Sequence, residues 1–173
     1  LATLAPMIAF ENKLVPLIET SRAIDTVTQI AAFKVVVGLF FGAADASASL
    51  GCKLAWEPLL YARQRVVLAA SMFNLFTIDA PYFYIDKMAG LKEEAEAVKN
   101  LGFTGKAAIH PDQIDHINEA FSPTSEEKAE AKKVLEEYQK SGGGAIKVDG
   151  QMIDEPIAEA MRLKITLGED EKD

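Results

Sequence analysis

Apolar residues in this chain fall into short runs separated by longer segments with helical spacing. The runs are Leu14-Val15-Pro16-Leu17-Ile18, then Val35 to Phe41, then the short Thr77-Ile78-Asp79, then Lys106-Ala107-Ala108-Ile109-His110. Val35 to Phe41 does not alternate with polar residues, which is the pattern of a strand covered on both faces. Ser21 to Ala32 places Ile24, Val27, Ile30 and Ala31 on one helical face, and Trp56 to Phe73 and Gly90 to Leu101 read as two longer helices. Gly102 follows the last of these at a position where glycine takes the left-handed conformation cheaply. Strand, helix, strand in repeated order implies parallel neighbours joined by crossovers.

The pattern changes after Pro111. Asp112 to Phe121 predicts a short helix. Thr124 to Lys140 predicts a longer one, with Thr124 and Glu127 spaced for a capping box just after Pro123. Gly142-Gly143-Gly144 reads as a flexible joint. Ala145 to Val148 and Met152-Ile153 flank Asp149-Gly150, a hairpin turn signal. Pro156 to Leu167 predicts a last helix, and Gly168 to Asp173 a charged tail. Residues 1 to 11 read as a helix end or a connection. Four strand–helix units amount to half of an eight-fold barrel, which needs about 200 residues at minimum. The pattern alone fits an open α/β sheet equally well.

Composition narrows the classes. The chain has 173 residues, 49% hydrophobic and 25% charged, enough for one sizeable core. A net charge of -8 argues against general nucleic-acid binding, and an anionic substrate would need local cations or a metal. The single cysteine, Cys52, excludes an internal disulfide and fits a reducing cytoplasmic setting, as a small packed hydrophobe. No apolar run approaches the ~18 residues of a membrane span. No signal-peptide pattern is present, and the first residue is Leu1 rather than Met, as in a processed chain or a fragment.

Two carboxylates stand out. Glu19 follows the first apolar run and Asp45 lies just past the second. In parallel sheets the C-terminal strand ends point the same way and function collects there. Carboxylates meeting at that edge make a hard oxygen site suited to Mg²⁺. The alternative is that Glu19 caps a helix and Asp45 is a loop residue.

Several stretches carry a family resemblance. Leu14 to Ala23 resembles the "P-x-I-E-T-A-R-G" element of the citrate lyase β-subunit-like branch of the HpcH/HpaI aldolases. Gly38 to Asp45 resembles its "G-x-x-x-G-A-E-D" element. Leu60-Tyr61-Ala62-Arg63, Gly102 to Pro111, Glu119 to Pro123 and Asp149 to Pro156 are similar to further stretches of the family. The branch contains malyl-CoA, citramalyl-CoA and citryl-CoA lyases. The resemblance implies a TIM (β/α)8 barrel of which this chain supplies the second half. Residues 1–141 would carry strands near 14–18, 35–41, 76–79 and 106–110, and residues 142–173 a C-terminal extension packing on a neighbouring subunit. It implies Mg²⁺ held by Glu19 and Asp45, and Asp154 as the acid/base acting across the interface of a homotrimer.

The implied reaction cleaves a hydroxyacyl-CoA, citramalyl-CoA or malyl-CoA, into acetyl-CoA and a 2-keto acid. A citrate lyase β subunit working on an acyl-carrier-protein thioester is a second reading, and a non-catalytic CoA-binding paralogue a third. Ala44 favours the third, since the family element usually has Glu there; Ala23 likewise replaces a usual Gly. For Asp154 the plain alternative is a helix N-cap before Glu155-Pro156. His110 is a pocket or strand-end turn residue. Asp79 could support the metal site from behind, Arg22 and Arg63 read as helix-surface or ion-pair residues or as substrate-anion partners, and Lys106 as a strand-end ion pair.

Overall fold

The computed structural model describes residues 13–142 and 144–167. The N-terminal stretch 1–11 and the tail Gly168 to Asp173 therefore lie outside the described residues. The chain divides into two compact units, one ending at Phe121 and the other beginning at Ser122.

The first unit is a four-stranded parallel sheet in the order β1-β2-β3-β4, with helices in the connections. β1 is Leu17–Ile18, β2 Gly38–Phe41, β3 Phe76–Asp79 and β4 Gly105–Lys106. Leu17 registers with Phe40, Gly38 with Phe76, and Ile78 with Gly105. The first predicted strand is interrupted at Pro16. Leu14 bridges to Val36, pairing resumes at Leu17, and the intervening proline has no N–H to donate. Its carbonyl still accepts from Phe40 N–H at 3.0 Å.

Three local differences from the sequence pattern bear on the site. The helix expected over 21–32 is two short ones, α1 (Ser21–Asp25) and α2 (Val27–Ala31). Thr26 divides them by donating its hydroxyl back to the Arg22 carbonyl at 2.8 Å, a bond that competes with helix continuation. The segment after β2 is a helix, α3 (Ala43–Leu50), closed by Gly51 at φ 67°. Its small residues carry no broad apolar stripe, so the pattern did not announce it. The fourth strand stops at Lys106 rather than running to His110. Beyond it, the Ile109 N–H goes to the side chain of Gln113 at 3.0 Å, not to a neighbouring strand.

The core of this unit joins strand residues Ile18, Leu39 and Phe41 to helix residues Val27, Leu59 and Val66, all fully buried. Leu59 and Val66 come from α4 (Trp56–Ser71), which returns over β2 and β3. Cys52 is half-buried and packs against the same cluster. α5 (Met88–Leu101) buries Leu91, Ala95 and Val98 and ends at Gly102, φ 106°. A 3₁₀ turn at Pro111–Gln113 then leads into α6 (Ile114–Phe121).

The second unit begins with α7 (Ser125–Lys140). Its capping box is complete: Thr124 Oγ1 accepts from Glu127 N–H at 3.1 Å and Glu127 Oε2 accepts from Thr124 N–H at 2.9 Å. An antiparallel hairpin of β5 (Ile146–Val148) and β6 (Gln151–Ile153) turns at Asp149-Gly150, both at positive φ. α8 (Glu155–Leu167) follows. Val134, Leu135 and Tyr138 of α7 pack with Val148, Ile153 and Ala158. The expected boundary at 141/142 grouped α7 with the sheet; those contacts group it with the hairpin.

Candidate metal centre

Glu19 is the residue after β1, and Asp45 sits in the first turn of α3. Asp45 is thus not the loop residue of the alternative reading. An acidic side chain in that turn is favoured by the unpaired N–H groups of the helix start. Two contacts hold the segments together. Gly42 N–H donates to the Ile18 carbonyl at 3.0 Å, and Ser21 N–H donates to Ser49 Oγ at 2.9 Å. Gly42 is required by proximity: a Cβ there would stand 2.7 Å from Glu19 Cβ and 3.0 Å from Glu19 Oε2.

The two carboxyl groups meet. Partial burial raises the Glu19 carboxyl above its ordinary value, and the Asp45 charge and a hydrogen bond between the two carboxyls raise it further. Two carboxyl groups brought this close concentrate negative charge, and a divalent cation relieves it. Both donors are hard oxygens, which fits Mg²⁺. Among the described residues no third His, Cys, Asp or Glu joins them, so water and ligand oxygens would fill the other positions.

Asp154 belongs to the second unit. Its Oδ1 accepts from Ile157 N–H at 3.3 Å and its carbonyl accepts from Ala158 N–H at 2.9 Å, so it caps α8. Next to it, hydrogen bonds from Arg162 (2.7 Å) and Tyr138 hold the Glu155 carboxyl below its ordinary value. His110 takes the turn role: its Nδ1 accepts from Asp112 N–H at 3.3 Å at the head of the 3₁₀ turn.

Asp79 is fully buried at the end of β3, bound by Arg63 Nε at 2.8 Å and Lys106 Nζ at 2.9 Å. Lys106 also donates to Glu94 and to the Ala80 carbonyl, each at 2.7 Å. These are ion pairs within the fold, as anticipated for Lys106; Arg63 differs only in being buried rather than on the surface. Gln113 was not singled out by its sequence context. It is fully buried, donating to the Tyr82 carbonyl at 2.9 Å while accepting from Ile109 N–H. A glutamine at the third position after a strand-end histidine carries no signal that would have found it.

A profile of the HpcH/HpaI aldolase/citrate lyase family matches residues 9–111. The mitochondrial citramalyl-CoA lyase of Homo sapiens is 39% identical over 141 residues, 76% of this chain and 42% of that protein. Citrate lyase subunit beta of Haemophilus influenzae is 33% identical over 161 residues, 90% of this chain and 55% of that protein. Among solved structures, protein CitE of Mycobacterium tuberculosis in complex with magnesium, acetoacetate and coenzyme A superposes with a TM-score of 0.85. That match is 30% identical and covers 97% of this chain and 64% of the other. The chain spans about half the length of the curated relatives it matches.

Proposed function

This chain belongs to the HpcH/HpaI aldolase/citrate lyase family, and from that membership we propose that it forms part of a Mg²⁺-dependent carbon–carbon lyase acting on a hydroxyacyl thioester. The observation that carries the reading is the meeting of Glu19 and Asp45 at the C-terminal edge of a parallel sheet. The sequential order β1-β2-β3-β4 supports half of a TIM barrel, since consecutive barrel units lie side by side whereas doubly wound sheets reverse direction. In that reading the second unit, with the 142–173 extension, reaches a neighbouring subunit of a homotrimer.

The preferred substrate is citramalyl-CoA or malyl-CoA, cleaved to acetyl-CoA and a 2-keto acid. Glu19 and Asp45 hold Mg²⁺, which when bound supplies Lewis-acid polarisation of the substrate's hydroxyl and carboxylate oxygens. The substrate hydroxyl gives up its proton to solvent as its carbon becomes the keto carbon, the bond between the α and β carbons breaks, and the bond's electron pair passes to the acetyl thioester as an enolate. Asp154 then delivers a proton to the methyl carbon. The half-buried cap position of α8 is compatible with that role because its cap hydrogen bond to Ile157 N–H engages Oδ1. Cys52 as a free thiol suits a reducing compartment, and we assign the cytoplasm. Among the described residues no helix is long and apolar enough to cross a membrane.

The match to citrate lyase subunit beta covers more of this chain than the match to citramalyl-CoA lyase. That favours, as a second reading, a subunit working on an acyl-carrier-protein thioester. The test is acetyl-CoA release by the intact protein from (S)-citramalyl-CoA and malyl-CoA, with Mg²⁺ and with chelator. Release that requires Mg²⁺ and vanishes in Asp45→Ala and Asp154→Ala supports the CoA lyase. No release by a folded protein, with turnover of the carrier-protein thioester, supports the second reading. Inactivity on both leaves the non-catalytic paralogue, for which exposed Ala44 on α3 is the structural correlate.

A further inference from the structure

Ser49 uses its hydroxyl differently from Ser47 and Ser71. Ser47 donates to the Ala44 carbonyl at 2.7 Å and Ser71 to the Leu68 carbonyl at 2.9 Å, the bond a helical serine makes with its own preceding turn. Ser49, in α3, reaches across to another segment. Its Oγ accepts from Ser21 N–H at 2.9 Å, 28 residues away in sequence, and donates to Ser21 Oγ at 3.3 Å. Ser21 is the first residue of α1, so its N–H has no acceptor within that helix. Thr20 Oγ1 serves the Ala23 N–H at 3.1 Å, which leaves Ser21 to Ser49.

The place of that bond matters to the two carboxylates. Asp45 and Ser49 are one helical turn apart and so lie on one face of α3. Glu19 and Ser21 flank Thr20, which is extended, on the facing segment. Asp45 meets Glu19 and Ser49 meets Ser21, while Gly42 N–H holds the Ile18 carbonyl at 3.0 Å. Each carboxylate therefore sits between two anchored residues: Ile18 and Ser21 on one segment, Gly42 and Ser49 on the other. Two ionised carboxylates repel, and the two anchoring bonds resist their separation. Ser21 and Ser49 are both exposed, so water can replace the serine hydroxyl at Ser21 N–H and the fold survives its loss.

We propose, resting on the Mg²⁺ reading of that pair, that Ser49 is a positioning residue for Glu19 and Asp45, fixing α3 against the segment after β1 at the carboxylate separation Mg²⁺ needs. Mg²⁺ demands close, near-octahedral oxygens, whereas Ca²⁺ accepts longer and more variable bonds, so a loosened pair penalises Mg²⁺ more. Calorimetric titration of the metal-free intact protein with each ion is the test, beside a urea midpoint for every variant. Ser49→Ala should bind Mg²⁺ about 3–10-fold more weakly, the worth of one such hydrogen bond. Its Ca²⁺ affinity should fall by less than about twofold. Ser49→Thr keeps the hydroxyl and should restore Mg²⁺ affinity. Ser71→Ala removes a hydroxyl that bonds within its own helix and should leave both affinities unchanged. The midpoint of Ser49→Ala should stay near the parent's. Should it fall, the ratio of Mg²⁺ to Ca²⁺ affinity decides, because general loosening of the fold weakens both ions alike. A parent protein that takes up no Mg²⁺ sinks the metal reading itself, and the role of Ser49 with it. With Mg²⁺ bound by the parent, an affinity in Ser49→Ala within about twofold of the parent's, an equal loss for Ca²⁺, or no recovery in Ser49→Thr overturns the proposal and leaves Ser49 as a partner of the α1 terminus alone.

Discussion

Replacing Asp79 with alanine should destabilise the first unit more than any surface charge change. The carboxylate is fully buried and is the shared anion for Arg63 and Lys106. Lys106 would keep Glu94 and the Ala80 carbonyl. Arg63 would keep only the Phe41 and Trp56 rings, which already contribute in the parent protein. The penalty is therefore that of one buried charge stripped of its partner, about 3–5 kcal/mol. Against a typical total of about 5–15 kcal/mol, that is about a fifth or more of the stability. It should lower the urea midpoint by roughly 2 M for a slope of about 2 kcal/mol per M. Trp56 is the single tryptophan and stacks on the same guanidinium, so its fluorescence reports unfolding of this region. Asp79→Ala combined with Arg63→Met should be more stable than Asp79→Ala alone, because the stranded cation is gone. A single variant within about 1 kcal/mol of the parent, or a double variant less stable than the single, would refute the reasoning.

The Glu19 carboxyl is raised, so between its ordinary value of 4.5 and its folded value the folded state binds more protons than the unfolded state. Its contribution is complete below 4.5 and is lost as pH rises through the folded value. Metal-free protein should thus lose stability across that window relative to Glu19→Gln, and the difference in urea midpoints against pH should flatten when Mg²⁺ is added. Gly42→Ala sets a methyl group against Glu19 at 2.7 Å and should weaken Mg²⁺ affinity roughly 10–100-fold, the range for losing a ligand's orienting surroundings, as read by isothermal calorimetry. Thr124→Ala breaks the capping box of α7 and should cost about 1 kcal/mol, seen as earlier loss of amide protection in α7 than in α4.

The strand runs and the long helices were legible because their signals are local. Val35 to Phe41 is too apolar to be anything but interior, and Thr124 with Glu127 defines a helix start by hydrogen-bond geometry alone. The exact strand lengths were not legible, because they depend on partners. Pairing at Pro16 fails for want of an N–H, and Ile109 is diverted by a glutamine side chain four residues on. α3 was missed because Ala43 to Leu50 is held by its place after Gly42 rather than by an apolar stripe. At the candidate site, the approach of Glu19 to Asp45 followed from parallel strand order. The burial of Arg63 did not: an arginine inside an amphipathic helix reads as surface until the Phe41 and Trp56 rings that lie within about 5 Å of its guanidinium carbon are brought in from β2 and the start of α4.

The two outer strands of the sheet are also its shortest, two residues each in β1 and β4. A parallel sheet with long bare margins invites pairing with a foreign chain, and here little margin is available. On one side Pro16 withholds a donor next to the two ladder residues of β1. On the other, Ile109 has already committed its N–H inward. The β-pairing that templates amyloid-like growth needs five or more consecutive free peptide groups. Among the described residues neither flank of this sheet offers such a stretch, so thermal aggregation of this chain taken by itself should depend on unfolding of the core rather than on recruitment at β1 or β4.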